Sequence, residues 1–539
     1  MFFTVNSCPP FRHKFIDSLK IRAKKKKKTN LFNGLSSLSC AYLFPHSSFC
    51  DSHIPTFVFS HTCFFSLLNG MDFPLPFSTS SPVDQVDISE LFRDGYVNCK
   101  FPLDGIVGFF SVRFATSNAK EMASYFQFAM GFELVAQKGL ETGSSLIASH
   151  VLRNGKAVVE IVTSIKVASE EADDGETLAA LFGNDTNSVS LARIVSQYEE
   201  VRQQKKPDVA YDALLAYLSD TFVGRHGMGV IDILLEVTDV DSTYSRAMCN
   251  GALSLEAPHI LSDCHGVVRV AKIGVPGTDM HHTLVQKVDY DGVYLPGYKT
   301  SLCNNQPQLP FAPVSICEID HCVQNYSWNE MFKYARFYAS ALGLHKYWSV
   351  DESDVSTTNT ALRSLVMASA NGKVKMPINE PAESKLVGQI EEFYQYFNGP
   401  GVQHIALRTR DILQCICSLR TRGVDFNEMS SDYYEGLMAR LAQHNIVLTE
   451  DMDKLRANHI LVDFDPATRF ARKNGTFGCN YILQIFTKPL HDRPTFFFEI
   501  IQRHHHNGFG KGTFKGLFET IERQQQLRGT LVPSNRRTI

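Results

Sequence analysis

Four stretches of this chain open in the same way. Each begins with a short apolar run at strand spacing, then places apolar residues every three or four positions up to a glycine or a turn. They are GFFSVRFATSNAKEMASYFQFAMGF from Gly108, GVIDILLEVTDVDSTYSRAMCNGA from Gly229, SICEIDHCVQNYSWNEMFKYARFYASALGL from Ser315 and GVQHIALRTRDILQCICSLRTRGV from Gly401. A period of two followed by one of 3.6 predicts a strand and then a helix. Alternating runs follow, such as SSLIASHVLRNGKAVVEIVTS and LRSLVMASANGKVKMPINEP, and these predict antiparallel hairpins. The pattern is a βαββ(β) unit used four times. A sheet curled from one unit leaves its concave face bare, so units are expected to pair into two domains of two units each.

The second and fourth openings align closely, Gly229 with Gly401, Val230 with Val402 and Asp232 with His404. The expected boundaries are an N-terminal extension at 1–104, a first double unit at 105–301, a linker at 302–312 and a second double unit at 313–535. Within the first double unit, residues 167–225 read as an acidic, polar and partly helical insertion. The linker is the proline-bearing LCNNQPQLPFAP, and PATRFARKNGTFGCN from Pro466 reads as a surface loop.

Composition narrows the class. The 539 residues are 44% apolar and 20% charged, ordinary for a globular protein, and the net charge of −3 gives no general attraction to nucleic acid or to an anionic membrane. No run is apolar for the ~18 residues a membrane span needs. The thirteen cysteines lack metal-site spacing. They are expected to be reduced thiols of an intracellular, cytoplasmic protein. The first 70 residues differ from the rest, with five consecutive lysines and only Asp17 and Asp51 as acids. A targeting segment and a nuclear address both fit; the expectation is a solvated extension, with Met71 as an alternative start.

Candidate chemistry sits in three strands. FFFEIIQR buries Glu499 among Phe496, Phe497, Phe498, Ile500 and Ile501, and a buried carboxylate must either neutralise or meet a cation. Strand alternation places His321 with Ile319 and Val323, His404 with Val402 and Ala406, and Glu499 with Phe497 and Ile501. Each strand therefore aims one polar side chain into an apolar face. Taken singly, a strand histidine is more often a satisfied core residue, and a strand glutamate more often lies at an edge or pairs with Arg or Lys. The repeat puts both histidines on the opening strands of units three and four, so they can converge with the carboxylate. Two histidines and one carboxylate with open positions is the arrangement of non-haem Fe(II) oxygenases.

Longer motifs then identify a relationship. IDHCVQN, MPINEP, GQIEEFYQYFNGPGVQHIAL, ILVDFD, LQIFTKPLHDRPTFFFEIIQRHHHNGFGKGTF and LFETIERQQ occur in order, with YLPGY before them at Tyr294 to Tyr298. With them, residues 105 to 535 resemble the 4-hydroxyphenylpyruvate dioxygenases, particularly fungal ones. The resemblance implies an α+β, vicinal-oxygen-chelate (glyoxalase-like) fold of two half-open barrels from paired modules, with a C-terminal gating helix. It implies Fe(II) held by His321, His404 and Glu499. The implied reaction takes 4-hydroxyphenylpyruvate and O₂ to homogentisate and CO₂, a step in the breakdown of tyrosine and phenylalanine. By the same resemblance Gln389, Gln403 and Gln484 serve catalysis. Ser364, Asn379 and Gln389, with Phe486, Phe497, Phe509 and Phe514, would form the substrate pocket.

A homodimer is the expected assembly, with no nucleic-acid or membrane partner. Thr513 departs from the asparagine usual in the family's GxGNF. The rivals are a hydroxymandelate synthase-like oxygenase and a non-catalytic metal-binding homologue. Retention of Pro377, Asn379 and Phe514 favours the dioxygenase.

Overall fold

A computed structural model describes residues 105–165, 207–300, 311–350 and 356–534, all inside one compact unit, Pro82–Ile539. The N-terminal extension with its lysine run and Met71, most of the polar insertion and nearly all of the linker lie outside the described residues. The elements are β1 (Ile106–Ala115), α1 (Ala119–Phe128), β2 (Glu133–Lys138), β3 (Ile147–Asn154), β4 (Ala157–Ser164), α2 (Pro207–His226), β5 (Gly229–Val237), α3 (Val240–Cys249), β6 (Leu253–Asp263), β7 (Gly266–Gly274), β8 (His281–Tyr290) and β9 (Lys299–Thr300). They continue with β10 (Glu318–Asn325), α4 (Met331–Leu342), β11 (His345–Val350), β12 (Leu362–Ala368), β13 (Lys375–Pro381), α5 (Gln389–Phe397), β14 (Gly401–Arg408), α6 (Ile412–Thr421), α7 (Ser431–Gln443), α8 (Met452–Ala457), β15 (Leu461–Ala471), β16 (Phe477–Phe486), β17 (Phe497–His504) and α9 (Phe514–Arg528).

The four predicted openings are β1–α1, β5–α3, β10–α4 and β14–α6. Their helices start where the side chain of Asn118, Asp239 or Asp411 accepts a backbone N–H of the first turn. The helix of the third opening, α4, has no such cap and ends on Gly343 in the left-handed region. Strands form two sheets, ordered β6-β7-β8-β5-β1-β4-β3-β2-β9 and β11-β12-β13-β10-β14-β17-β16-β15. In each, two opening strands run antiparallel at the centre, β1 with β5 and β10 with β14. The last strand of each second unit, β8 or β17, lies parallel to its own opening strand. The aligned positions of the repeat are therefore equivalent in space: Asp232 faces Arg113 across the first central pair, and His404 faces Val323 across the second.

The phenylalanine run of β17 is buried on both sides, which is why it does not alternate with polar residues. Phe496 and Phe498 pack outward on Phe114 and Phe126 of the N-terminal half, with Phe114 to Phe496 centroids 5.0 Å apart and Phe126 to Phe498 5.7 Å. Phe497 and Glu499 face the other way. Each buried ring contributes roughly 2–3 kcal/mol of apolar transfer, so this strand joins the halves while lining a site.

Two elements differ from the sequence reading. The stretch expected as a polar insertion ends in α2, whose Tyr211, Leu214, Leu215, Leu218 and Phe222 are buried against Ala115, Ile147, Val162 and Ile231. This helix fills the concave face of the first sheet. The segment from Pro466 is not a loop throughout. β15 passes through it, with pairing that jumps from Asp465 to Phe470, so the irregular residues bulge while the strand resumes opposite Gly478.

Candidate metal centre

β10, β14 and β17 bring His321, His404 and Glu499 together. One donor atom from each lies within 4.8 Å of the others. His321 Nε2 stands 3.1 Å and His404 Nε2 3.5 Å from the same carboxylate oxygen, Oε2 of Glu499. The imidazoles lie edge to face, 5.9 Å between centroids. All three side chains are buried.

The remaining polar atoms of the three are already occupied. His321 Nδ1 meets Asp320 Oδ1 at 2.8 Å, and Asp320 is gripped through both oxygens by Arg503, at 2.8 and 2.7 Å. His404 Nδ1 lies 3.1 Å from Gln403 Oε1. Gln484 donates its Nε2 to Glu499 Oε1 at 2.7 Å. With an ion between the donors, each imidazole would carry its proton on Nδ1, towards Asp320 or Gln403, and present the lone pair of Nε2 inward. Glu499 keeps Oε2 for the same point. Two imidazole nitrogens and one anionic oxygen, with the nitrogens 3.1 and 3.5 Å from the oxygen and all three within 4.8 Å, suit one divalent first-row metal ion.

Electrostatics agree with a cation at this point. Burial would push the Glu499 carboxyl up, but the imidazoles of His321 and His404 outweigh it and bring it down to about 2. His321 is also held down by burial, yet Glu499 and Asp320 raise it above its ordinary value. For His404 burial wins and the ring is lowered. The Glu499 carboxylate therefore stays ionised and needs a positive partner.

Around the three donors stand the aromatic walls. Phe497 stacks on His404 at 4.8 Å, Phe486 lies 6.0 Å from the same ring, and Phe509 sits 5.0 Å from His321. Phe514 opens α9, but its side chain lies outside the described residues. The polar candidates are buried too. Gln403 donates to Gln389 at 3.2 Å, Asn379 donates to Asn325 Oδ1 at 3.1 Å, and Ser364 is the cross-strand neighbour of Asn379. Asn325 Nδ2 is buried with no partner, a donor left for a ligand.

Sequence reasoning missed Asp320, Arg503 and Asn325. Its one available signal was that IDHC places a charged residue beside a candidate ligand, and EIIQR places another four positions beyond Glu499, inside strands otherwise largely apolar. A cleft of about 430 Å³ opens beyond the Asp320–Arg503 pair, with Lys375, Arg408, His505 and His506 in its lining. It does not include the three donors.

Among the described residues, the N-terminal half has no such donor set at the equivalent place. Asp232, aligned with His404, is paired to Arg113 at 2.8 Å and Lys272 at 2.9 Å. Glu160 takes Arg113 at 2.7 Å together with Tyr294, Tyr298 and Ser149. A network of side-chain ions fills that barrel instead.

Comparison with known proteins matches this geometry to a family. The Glyoxalase/Bleomycin resistance protein/Dioxygenase superfamily matches residues 318–455. The 4-hydroxyphenylpyruvate dioxygenase of Aspergillus fumigatus is 42% identical over 426 residues, covering 79% of this chain and 94% of that protein. Those of Yarrowia lipolytica and Dictyostelium discoideum are 39% and 35% identical, over 80% and 79% of this chain and 95% and 100% of theirs. Among solved structures, a triple mutant of 4-hydroxymandelate synthase from Streptomyces coelicolor superposes with a TM-score of 0.57 at 23% identity, over 78% of this chain and 99% of that one. That likeness concerns the fold alone. With a paired-module α+β fold and full-length relatives at this identity, the chain belongs to the 4-hydroxyphenylpyruvate dioxygenase family.

Proposed function

We propose that His321, His404 and Glu499 hold one Fe(II) ion and that the enzyme converts 4-hydroxyphenylpyruvate and O₂ to homogentisate and CO₂. The observation that carries this reading is the convergence of three buried donors whose other polar atoms are already engaged. The ion supplies the redox chemistry with O₂ that no side chain provides. The protein supplies everything else.

The substrate's 2-oxo acid arm carries two oxygens on adjacent carbons, which suits an ion that three protein ligands leave open on one side. Gln403 and Gln389 form a buried amide pair beside His404, and Ser364, Asn379 and Asn325 offer hydrogen bonds to the phenol end. Phe486, Phe497 and Phe509 shape an apolar slot for the ring and exclude bulk water. In the same reading Phe514 closes the slot from the gate helix, and the enzyme works as a cytoplasmic homodimer. The described cysteines are all unpaired, and no described helix is long and apolar enough to cross a membrane.

Oxygen uptake with 4-hydroxyphenylpyruvate and ferrous iron, with the product identified by mass spectrometry, tests the proposal. Homogentisate and one CO₂ per O₂ are expected. 4-Hydroxymandelate would move the chain to the synthase reaction, and no uptake would make it a non-catalytic homologue.

A further inference from the structure

Thr513 occupies the N-cap position of α9, yet its hydroxyl makes no cap bond to the helix. A threonine at that position ordinarily accepts a first-turn N–H, a contact worth about 1 kcal/mol. Here the side chain turns inward. Its Oγ1 lies 2.7 Å from the carbonyl oxygen of Gly510 and 3.2 Å from Oε1 of Gln484. Gln484 in turn donates its amide to Glu499 Oε1 at 2.7 Å. Thr513, Gln484 and Glu499 are each nearly inaccessible, at 3%, 2% and 1% exposure. Among the described residues the Thr513 hydroxyl is the hydrogen-bond donor to Gln484 Oε1, sharing its one hydrogen with the nearer Gly510 carbonyl.

The turn is shaped to permit this contact. Gly510 has φ +87°, and a side-chain carbon there would stand 2.2 Å from Gln484 Oε1 and 2.5 Å from Thr513 Oγ1. Only glycine allows the amide, the hydroxyl and the turn to meet so closely. Swinging α9 away would strand a buried carbonyl oxygen on Gln484, and burying an unsatisfied acceptor is unfavourable.

We propose that Thr513 is a positioning residue that couples closure of α9 to occupation of the metal centre, through Gln484 and Glu499. This rests on the metal-site reading above and adds a regulatory link to it. A carboxylate that holds a metal through Oε2 has one orientation, and its Oε1 then fixes the Gln484 amide by a charge-assisted bond. The fixed amide presents Oε1 to Thr513. Without the ion only the two imidazoles hold Oε2 of the carboxylate, so Oε1 and the amide bonded to it are held less firmly. Because coupling between two sites is reciprocal, a closed helix must also tighten metal binding by the same factor.

The test measures amide hydrogen exchange across residues 514–528 of the full chain, with and without Co(II), alongside Co(II) affinity by calorimetry. In the unaltered protein Co(II) should slow exchange of this helix. Thr513→Val keeps the shape and removes the hydroxyl. It should reduce the metal-dependent slowing and the Co(II) affinity together, by about threefold to tenfold as expected for one hydrogen bond. Thr513→Ser should restore both. Equal metal-dependent slowing in Thr513→Val would overturn the coupling. Co(II) binding that Glu499→Gln leaves unchanged would instead overturn the metal-site assignment, so the two failures are distinguishable.

Discussion

Asp320 holds His321 by its Nδ1 at 2.8 Å, from a neighbouring position on the same strand. Two successive residues of an ideal strand point to opposite faces. Here the pairing of β10 with β14 shifts register between Ile319 and His321, and the local irregularity lets the carboxylate reach the ring beside it. Asp320 is itself anchored by the two-pronged Arg503 contact, which keeps its carboxyl well below the ordinary range despite burial. Asp320→Asn should lower metal affinity by about 10- to 100-fold, measured by competition with a chelator. Unchanged affinity would remove Asp320 from the orientation of His321.

His404→Ala and Glu499→Gln should each abolish turnover and bound metal, with the far-ultraviolet circular dichroism retained. Each leaves the strand backbone intact. Normal oxygen uptake by iron-supplemented Glu499→Gln would refute the ligand set.

Gln389 opens α5 and accepts the Gln403 amide at 3.2 Å. Gln389→Ala should leave metal content unchanged and weaken substrate orientation, raising KM and lowering coupling of O₂ uptake to homogentisate. A hydrogen bond of this type is worth about 1 kcal/mol, or fivefold in affinity. Wild-type rate and product distribution would contradict the role.

Asp463 receives the Gly512 N–H at 3.1 Å, just ahead of the gate helix. Burial, with Asp465 adding to it, pushes its carboxyl up to about 6, against the Gly512 N–H and Arg440, which hold it back. The folded chain therefore binds this proton more tightly than the unfolded chain does. The resulting stabilisation is full at low pH and is lost as pH rises from the ordinary 3.8 through about 6. Asp463→Asn should raise stability on the order of 2 kcal/mol above pH 6, with the gain vanishing below about pH 4. Thermal melts at the two pH values check it, and a lower Tm for the variant at pH 7.5 would contradict it.

In the N-terminal barrel, Arg113 is fully buried between Glu160 and Asp232. Arg113→Met should destabilise the protein by about 3–5 kcal/mol, because two buried carboxylates lose their shared cation. The loss should be the same with and without bound metal. A melt that shifts by less than a degree would show that the network carries no stability.

The charge in FFFEIIQR has an answer that divides along the same line. The four strand–helix openings could be read directly because alternation and helical spacing are local, and the repeat made His321 and His404 equivalent before any contact was known. The longer motifs carried the rest of the ligand set. Asp320 with Arg503 lies 183 residues apart along the chain, and Thr513 with Gln484 lies 29 apart. No periodicity relates such pairs. Likewise α2 looked like part of a polar insertion because its covering sheet is contributed by strands before and after it.

By itself the sequence determined the repeating units, the faces of their strands and the residue types able to bind a metal, since those follow from local spacing and chemistry. Only the tertiary structure decided which second nitrogen meets which acceptor, how ion pairs fill the half without ligands, and how the turn before the last helix connects to Glu499 through Gln484. Those relations depend on bulges, register and side-chain packing between strands distant in the chain, where angles of a few degrees determine whether two polar atoms touch.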